Sequence, residues 1–391
     1  MNTSKTFVQY GAGNVGRGFI GPLFSGAGYH VQFIDVDEAV VTKLNIEKGY
    51  RVEIVKNSGS SYEIVQNVSA IDGKSNADVI EAIANAHIMA TSIGANILPI
   101  ISPLIAAGLQ ARWARGKHEP FNILLCENLL NGGRHLKCWV SDYLTDDEKG
   151  SLSSRVGFIE ASIGRMIPML SIEDKKRDPL LVRVEEYSKL PIDKDAIKGF
   201  FPYIPNIILA SPFSQYIEKK LYVHNMSHSM AAYLGYLHGY EYIWQAMEDI
   251  TIIYIIEKAL DEIGQAMSLT HNTPYNEIYE HGRDLLERYK NRALADTVAR
   301  VGGDTFRKLK AGDRLAGAAV FCLKAGVMPK HIAMGIGAAL LYEGEPNDKG
   351  TANMRQMCTE KGLEHILINH CGINEYKFIH DEAKNFMSLY C

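Results

Sequence analysis

In the first half of the chain, short apolar runs alternate with stretches whose apolar residues recur with helical spacing. Residues 6–10 and 31–35 are β-prone runs, and residues 19–28 between them follow a helical pattern. Further strand-like runs occupy 88–91, 122–126 and 155–160, and further helical patterns occupy 70–86 and 98–115. Apolar strands that alternate with helices belong to parallel sheets covered on both faces. The pattern therefore predicts an α/β fold with a doubly wound, mostly parallel sheet.

The pattern changes in the second half of the chain. Residues 181–187 alternate apolar and charged side chains, which is typical of an edge strand or an antiparallel addition, and prolines cluster over 191–205. Beyond them the long apolar stretches have helical periodicity, at 213–237, 240–267, 273–288 and 313–325. We therefore predict two domains, an α/β domain over residues 1–200 and an all-α domain over residues 201–391.

A glycine-rich loop joins the first predicted strand to the first predicted helix. Gly11, Gly13 and Gly16 form a G-x-G-x-x-G string there. The first glycine permits the tight turn, the second lets a pyrophosphate approach the backbone, and the third allows the helix to pack against the strand. The amides at the start of the helix then face the phosphates. The loop predicts a Rossmann-type, dinucleotide-binding domain.

The second predicted strand ends in a carboxylate, Asp35, which follows Gly16 by 19 residues. A carboxylate at this position accepts hydrogen bonds from the ribose hydroxyls of NAD and repels the 2′-phosphate of NADP, and Asp37 adds to the repulsion. The sequence therefore predicts NAD as the cofactor. The residues expected to bind it are Gly11, Gly13, Asn14, Val15, Gly16, Asp35 and Thr91.

Composition narrows the class of protein. The chain has 391 residues, and 41 Lys and Arg against 45 Asp and Glu give a net charge of −4, which disfavours binding to nucleic acid or to an anionic membrane. Prolines and polar residues interrupt the charge-free stretch 82–111, so it does not predict a membrane span. Six cysteines without a C-x-x-C pair indicate free thiols in a reducing compartment. The chain begins without a signal-peptide pattern, and we expect a cytoplasmic protein.

A polar cluster lies in the apolar, aromatic surroundings of the second predicted domain. Lys220, His224 and His228 recur at four-residue spacings, which places them on one helix face, with Asn225 beside His228. Burial of a lysine lowers its pKa toward neutrality, as a general base for an alcohol requires, and Asn225 can donate to an oxygen that gains negative charge. A solvent-directed lysine and a pair of zinc-binding histidines are alternative interpretations. Because the chain has no H-E-x-x-H motif or evident third ligand, we predict no metal site.

Motifs along the whole chain together resemble the polyol-specific long-chain dehydrogenases, which form the mannitol dehydrogenase family. They are the loop 11–21, residues 35–37, Cys126-Glu127-Asn128, residues 157–159, Arg165 with Pro168, Lys220-x4-Asn225-x2-His228, and residues 231–235, 300–302 and 307–315. The Lys-x4-Asn-x2-His string and the N-terminal loop are the specific part of the resemblance. The family commonly has an acid before the arginine that corresponds to Arg165, and this chain has Gly164.

The resemblance implies reversible, metal-independent hydride transfer between NAD and a polyol, with the active site between the two domains. Lys220 corresponds to the general acid and base of the family. Asn128 and Asn225 correspond to the pair that binds the oxyanion, and His228 to a group that orients the substrate.

Basic residues are concentrated over 300–314, and a phosphorylated substrate needs several such donors around its phosphate. Arg300 and Lys308 correspond to substrate-contacting positions of the family, and Arg307 is added on charge alone. The resemblance implies D-mannitol 1-phosphate and D-fructose 6-phosphate as the substrate pair. We therefore expect a small-molecule sugar or polyol phosphate as the partner, while the sequence leaves open whether the protein is a monomer or a homodimer.

Three alternatives remain open. An enzyme of the same superfamily with a non-phosphorylated substrate, such as a mannitol 2-dehydrogenase or a hexuronate reductase, is usually longer than this chain. A β-hydroxyacid dehydrogenase pairs similar domains but typically has Lys-x3-Asn in place of Lys-x4-Asn. A non-catalytic NAD-binding sensor would not require the full set of Asn128, Lys220, Asn225 and His228.

Overall fold

The computed structural model describes residues 5–168 and 170–390 and divides into two compact units, Met1–Tyr216 and Ile217–Cys391. The predicted domain boundary, after residue 200, lies 16 residues before this division. Each unit has the secondary structure that its hydrophobic pattern favours, strands with helices in the first and helices in the second.

The first unit is built on a six-stranded sheet. The strands of the chain are β1 (Thr6–Tyr10), β2 (His30–Asp35), β3 (Gly49–Lys56), β4 (Gly59–Gln66), β5 (Val68–Asp72), β6 (Ile88–Thr91), β7 (Phe121–Leu125), β8 (Val156–Glu160), β9 (Val182–Val184), β10 (Leu190–Asp193) and β11 (Ile207–Ala210). The sheet has the order β5-β2-β1-β6-β7-β8, and all its neighbouring pairs are parallel. Numbered along the chain within the sheet, this order is 3-2-1-4-5-6, that of a Rossmann-type nucleotide-binding sheet. The predicted fold class is confirmed.

Helices cover both faces of this sheet. They are α1 (Gly21–Gly26), α2 (Glu38–Glu47), α3 (Asn76–Asn85), α4 (Leu98–Ala114), α5 (Gly132–Ser141) and α6 (Asp146–Arg155). A further short helix of this unit, α7 (Ile172–Arg177), has no buried residue. Successive residues of a strand point to opposite faces, so Phe7 packs into one hydrophobic cluster and Val8 into the other. In β2, Phe33 packs into the same cluster as Phe7, and Ile34 packs into the same cluster as Val8. Both faces of the sheet are therefore packed, and this packing fixes the carboxyl ends of the strands, where ligands bind in such sheets.

Two local predictions in the first unit are corrected, and one element was not predicted. Residues 70–72 belong to β5 and not to the predicted helix 70–86, which begins only at Asn76. Of residues 181–187, only Val182–Val184 form a strand, and it pairs parallel with β3 at the edge of a separate sheet ordered β4-β3-β9. The antiparallel hairpin β3–β4 was not predicted, because most side chains of β4 are exposed and its sequence lacks an apolar run.

The described part of the second unit is helical apart from an isolated bridge between Tyr242 and Thr297. Its α-helices, counting α8 that crosses the division, are α8 (Ser214–Glu218), α9 (Met226–Leu237), α10 (Ile243–Ala246), α11 (Ile250–His271), α12 (Tyr275–Tyr289), α13 (Val298–Gly302), α14 (Thr305–Lys308), α15 (Arg314–Lys324), α16 (Lys330–Leu341), α17 (Lys349–His365) and α18 (Tyr376–Met387). Residues 207–210, within the range predicted to be all-α, form β11, which pairs parallel with β10. Across the described ranges, no helix combines the length and apolar character that crossing a membrane requires.

Candidate functional site

The glycine loop leaves β1 at Gly11, whose φ of +100° lies in the left-handed region that favours glycine. A Cβ at Gly11 would lie 2.7 Å from the carbonyl oxygen of Ser92, and a Cβ at Gly16 would lie 2.0 Å from the carbonyl oxygen of Gly11. A Cβ at Gly13, by contrast, would have no heavy atom within 4 Å. The fold therefore requires the first and third glycines, whereas the second leaves an open backbone surface for a ligand.

A cleft of about 740 Å³ opens beside this loop, within the first unit. Its walls include three exposed apolar side chains, Val36, Ile97 and Ile100. Asp35 also lines the cleft, and its carboxylate accepts the backbone N–H groups of Ala12 at 2.6 Å and Asp37 at 3.0 Å. Apolar walls beside a carboxylate offer a surface for a flat ring and an acceptor for the hydroxyls of an attached ribose.

The remaining residues predicted to bind the cofactor differ in exposure. Asn14 and Val15 are half-buried in the glycine loop. Thr91 is fully buried at the end of β6, and its hydroxyl donates to Glu127 at 2.8 Å, so its contact with the cofactor stays a prediction. Ser92, which follows directly, lines the cleft and accepts a hydrogen bond from the side chain of Gln9 at 3.0 Å. Ser92 was not predicted, although its place after a strand of a parallel sheet is a signal that points to it.

Glu127 links the ends of β6 and β7. Besides the hydroxyl of Thr91, its carboxylate accepts the backbone N–H of Ile93 at 3.1 Å. Burial raises the pKa of Glu127, and the hydrogen bonds that it accepts oppose the rise. Asn128 follows it and is exposed in the connection to α5. Glu127 belongs to the Cys126-Glu127-Asn128 motif but had no predicted role, and its hydrogen bonds make it an anchor beside Asn128.

Arg165, next to the unusual Gly164, is buried and bonded to the backbone. Its Nε donates to the carbonyl of Glu185 at 2.9 Å, and one terminal nitrogen donates to the carbonyl of Gly18 at 3.0 Å. The guanidinium also lies over the ring of Phe19, 5.5 Å from the centroid. Burial lowers the pKa of Arg165 to about 10, against the attraction of nearby carboxylates. The π-helical segment Gly16–Ile20, which follows the glycine loop and leads into α1, thus supplies two contacts to Arg165.

In the second unit, Lys220 and Asn225 lie on a π-helical turn, Lys219–Asn225, that leads into α9. The backbone N–H of Met226 donates to the carbonyl of Leu221, five residues back. The prediction of one regular helix over 213–237 is therefore wrong at this turn, which accommodates an extra residue. Both Lys220 and Asn225 are half-buried. Turns of this kind are frequent at functional sites.

His224 is buried inside the second unit. Burial lowers the pKa of His224 well below its ordinary value, and neighbouring positive charges lower it further. These charges belong to Arg288, His228, His281 and Lys220. The rings of His224 and His228 lie 6.1 Å apart, so the polar cluster of the sequence is also a cluster in space.

His228 has a carboxylate partner that the sequence analysis missed. Its Nε2 lies 3.0 Å from Oδ2 of Asp296, and its ring stacks on Tyr289 with centroids 4.7 Å apart. Arg300 donates from Nε to Oδ1 of Asp296 at 2.7 Å. Burial alone would raise the pKa of Asp296, but the close contact with His228 and the attraction of Arg300 lower it. The four-residue spacing of Asp296 and Arg300 is a sequence signal that could have identified this carboxylate.

The other two candidates for substrate binding lie on α14. Arg307 is exposed, and its Nε donates to Oδ2 of Asp304 at 2.7 Å. Lys308 is buried, and its Nζ donates to the carbonyl of Val301 at 2.5 Å. Burial lowers the pKa of Lys308 to about 7, and the positive charges of Arg314 and Arg307 add to the effect. Their contact with substrate stays a prediction.

The buried amine of Lys308 predicts a pH-dependent stability. Its pKa of about 7 in the folded protein lies below the ordinary 10.5, so unfolding takes up a proton between these values. The free energy of unfolding should therefore rise with pH in this window, by about 1.4 kcal/mol per pH unit from this group. We expect Lys308→Met to lose that slope in urea unfolding measured at pH 7, 8 and 9. Lys310→Met, at an exposed lysine, should keep it; parallel pH profiles for Lys308→Met and the unchanged protein would contradict the prediction.

The predicted catalytic residues are divided between the two units. Asn128 belongs to the first, and Lys220, Asn225 and His228 belong to the second. Within residues 5–168 and 170–390, no three His, Cys, Asp or Glu side chains are grouped so as to hold a metal ion.

A doubly wound sheet with a dinucleotide-type glycine loop, followed by a helical unit that carries a Lys-Asn-His cluster, defines a two-domain dehydrogenase. Comparison with known protein families identifies the dehydrogenase family. Residues 5–205 match the mannitol dehydrogenase Rossmann domain, and residues 213–369 match the mannitol dehydrogenase C-terminal domain. The chain belongs to the mannitol dehydrogenase family and is an oxidoreductase, as its motifs predicted.

Relatives within the family cover nearly the whole chain. The chain is 36% identical over 366 residues to mannitol-1-phosphate 5-dehydrogenase of Brevibacillus brevis (94% of this chain, 93% of the relative). It is also 36% identical over 364 residues to the enzyme of the same name from Anoxybacillus flavithermus (92% and 93%). Among solved structures, it resembles Pseudomonas fluorescens mannitol 2-dehydrogenase in a ternary complex with NAD and D-mannitol, with a TM-score of 0.76 and 16% identity (99% and 92%). The last similarity supports the fold.

Proposed function

We propose that this protein catalyses the NAD-dependent, reversible interconversion of D-mannitol 1-phosphate and D-fructose 6-phosphate. The observation that carries the substrate pair is the 36% identity to mannitol-1-phosphate 5-dehydrogenases along more than nine-tenths of the chain. The residues of the first unit fit the cofactor, and the cluster of the second unit fits the proton transfer.

The glycine loop and the cleft support NAD as the cofactor. Gly13 presents open backbone to a pyrophosphate, and Asp35 presents a carboxylate to ribose hydroxyls. The negative charges of Asp35 and Asp37 disfavour the additional phosphate of NADP. When bound, the nicotinamide accepts a hydride from the alcohol carbon or donates one to the ketone.

Lys220 is the proposed acid and base. In polyol oxidation its neutral amine takes the proton of the reacting hydroxyl, and in ketone reduction its ammonium returns that proton to the oxygen. Asn128 and Asn225 donate hydrogen bonds to the oxygen while it carries negative charge, and His228 orients the sugar chain. These side chains supply proton transfer and charge stabilisation, so the proposal includes no metal ion.

Arg300, Arg307 and Lys308 are the proposed phosphate-binding residues. Arginine matches a phosphate with two parallel N–H donors, and the exposure of the Arg307 side chain supports this role. Arg300 is about half-exposed while it is paired with Asp296, so part of its guanidinium also faces solvent.

A coenzyme and substrate panel tests the proposal. We expect NADH oxidation with fructose 6-phosphate to exceed that with fructose or fructuronate, and NADPH to be a poor replacement for NADH. The reverse reaction should reduce NAD with mannitol 1-phosphate. Preference for fructose or fructuronate would instead assign the protein to a non-phosphorylated substrate, and NADH binding in calorimetry without turnover of any of these compounds would assign it to a sensor.

A further inference from the structure

The π-helical turn Lys219–Asn225 sets the relative orientation of Lys220 and Asn225. Five residues of an α-helix wind through about 500°, so two residues at this spacing would point about 140° apart. In a π-helical turn the backbone pairs across five residues, and the later residue lies nearly over the earlier one. The amide of Met226, which donates to the carbonyl of Leu221, has this pairing. The turn therefore brings Lys220 and Asn225 onto one face of the helix.

Side-chain hydroxyls contact the backbone where this turn ends. α9 begins at Met226, and where pairing across five residues changes to pairing across four, the amides pass over one carbonyl. The hydroxyl of Ser227 donates to the carbonyl of Val223 at 2.6 Å. The hydroxyl of Tyr289 donates to the carbonyl of His224 at 2.9 Å. The two hydroxyls, 3.0 Å apart, thus supplement the backbone donors at the end of the turn.

Tyr289 contacts the turn from a different helix. It is the last residue of α12, and only 3% of it is exposed, so water competes little for its hydrogen bond. Its ring stacks on His228, with an angle of 10° between the ring planes and centroids 4.7 Å apart. Ser227, by contrast, lies on α9 itself and cannot connect the turn to another helix. Tyr289 therefore supports the turn through its hydroxyl and His228 through its ring.

We propose that Tyr289 is a positioning residue whose hydroxyl stabilises the π-helical turn and, through it, the placement of Asn225 beside Lys220. The inference rests on the proposed function for the roles of Lys220 and Asn225, but the effect on the turn belongs to the free protein. Without the hydroxyl, the carbonyl of His224 loses a donor. The turn then opens more readily, and Asn225 no longer keeps its place beside Lys220.

Tyr289→Phe tests the proposal because it removes the hydroxyl and keeps the ring that stacks on His228. We expect kcat for fructose 6-phosphate reduction to fall about 10- to 100-fold, because Lys220 and Asn225 no longer meet the reacting oxygen in a fixed geometry. The KM for fructose 6-phosphate should change little, since the stacking is kept. NADH affinity should also change little, since the glycine loop lies in the first unit. Steady-state kinetics and calorimetry measure these quantities.

Tyr275→Phe is the matched control. Tyr275 lies on the same helix, α12, but its hydroxyl donates to Oδ1 of Asp261 at 2.5 Å and not to the turn. The variant loses an equivalent hydroxyl and should keep the kcat of the unchanged protein. If Tyr289→Phe had the same kcat as Tyr275→Phe, the proposal would be wrong, even if Tyr289→Phe melted at a lower temperature.

Hydrogen exchange, read by mass spectrometry, tests the turn without any substrate. Peptides that cover residues 219–228 should exchange about 5- to 10-fold faster in Tyr289→Phe, because the loss of one buried hydrogen bond favours local opening. The same peptides should exchange at the unchanged rate in Tyr275→Phe. An equal acceleration over the whole second unit would make Tyr289 a general support of the fold and would overturn the proposal.

Ser227→Ala decides the question if Tyr289→Phe does not fold. It removes the hydroxyl that lies 3.0 Å from that of Tyr289 and donates to the carbonyl of Val223. We expect faster exchange in the same peptides and a smaller fall in kcat, because the carbonyl of Val223 keeps the amide of Met226 as a donor. Unchanged exchange and unchanged kcat in Ser227→Ala would contradict support of the turn by these hydroxyls.

The outcomes separate this inference from the proposed function. Turnover of fructose 6-phosphate by the unchanged protein, together with an unaltered kcat in Tyr289→Phe, would reject the role of Tyr289 alone. A protein without activity on any sugar phosphate would reject the proposed function, while the exchange rates would still decide whether Tyr289 stabilises the turn.

Discussion

Replacing Lys220 by alanine is expected to lower kcat for fructose 6-phosphate reduction about 10³-fold, because the oxygen of the ketone loses its proton donor. NADH binding should change little, since the glycine loop and Asp35 lie in the first unit. Steady-state kinetics at saturating substrate and calorimetry with NADH measure the two effects. Added methylamine should restore part of the lost turnover to Lys220→Ala, as expected when only the proton carrier is missing.

The neighbouring lysine provides the control for this experiment. Lys219 lies on the same π-helical turn, and its Nζ is 3.9 Å from a carboxylate oxygen of Glu277. Lys219→Ala removes an equal charge from the same turn and should leave kcat within about threefold of the unchanged protein, as surface ion pairs of this kind contribute little. Near-normal turnover of Lys220→Ala, or an equal loss in both variants, would remove Lys220 from the role of acid and base.

Gly16→Ala should reduce both the stability of the fold and NADH binding, whereas Gly13→Ala should reduce NADH binding alone. At Gly16 the new methyl group would lie 2.0 Å from the backbone carbonyl oxygen of Gly11, which cannot move aside without opening the loop. We expect a loss of about 1–3 kcal/mol in the free energy of unfolding and no measurable NADH binding. Denaturant unfolding and calorimetry would show both effects.

At Gly13 the methyl group meets no heavy atom within 4 Å, so folding should be nearly unaffected. The same methyl group stands where a pyrophosphate would approach the backbone, and we expect the Kd for NADH to rise about 100-fold. The two variants thus distinguish a glycine that folding requires, Gly16, from a glycine that cofactor binding requires, Gly13. Normal NADH affinity in Gly13→Ala would show that the dinucleotide does not approach the loop at this residue.

The features that the sequence predicted well are those that short stretches determine. The glycine loop is one, because the strand, the turn and the helix that need these glycines follow one another directly in the chain. The strands at 6–10 and 88–91 were predicted with the bounds that they have, because both are apolar runs buried on two faces. The prediction of a helix over 70–86 was wrong at its start because two apolar residues of β5, Ala70 and Ile71, continue the apolar pattern of α3.

The features that the sequence did not predict depend on partners distant along the chain. Glu127 meets Thr91 across 36 positions, and Asp296 meets His228 across 68. Neither spacing has a period that a pattern could reveal. Lys308 was predicted to contact the substrate from a basic segment, and only the structure shows that its amine is buried and donates to the carbonyl of Val301. The candidate residues were therefore found one by one, and their pairing had to come from the structure.

The π-helical turn before α9 lets residues 219–225 hold one residue more than an α-helix of the same height would. Deleting one residue between Lys220 and Asn225 would restore ordinary α-helical winding and leave these two side chains four residues apart. Residues at that spacing lie about 40° apart around the axis and share a face. In a relative that is one codon shorter in this segment, the string Lys-x3-Asn would therefore describe a similar arrangement on an uninterrupted helix.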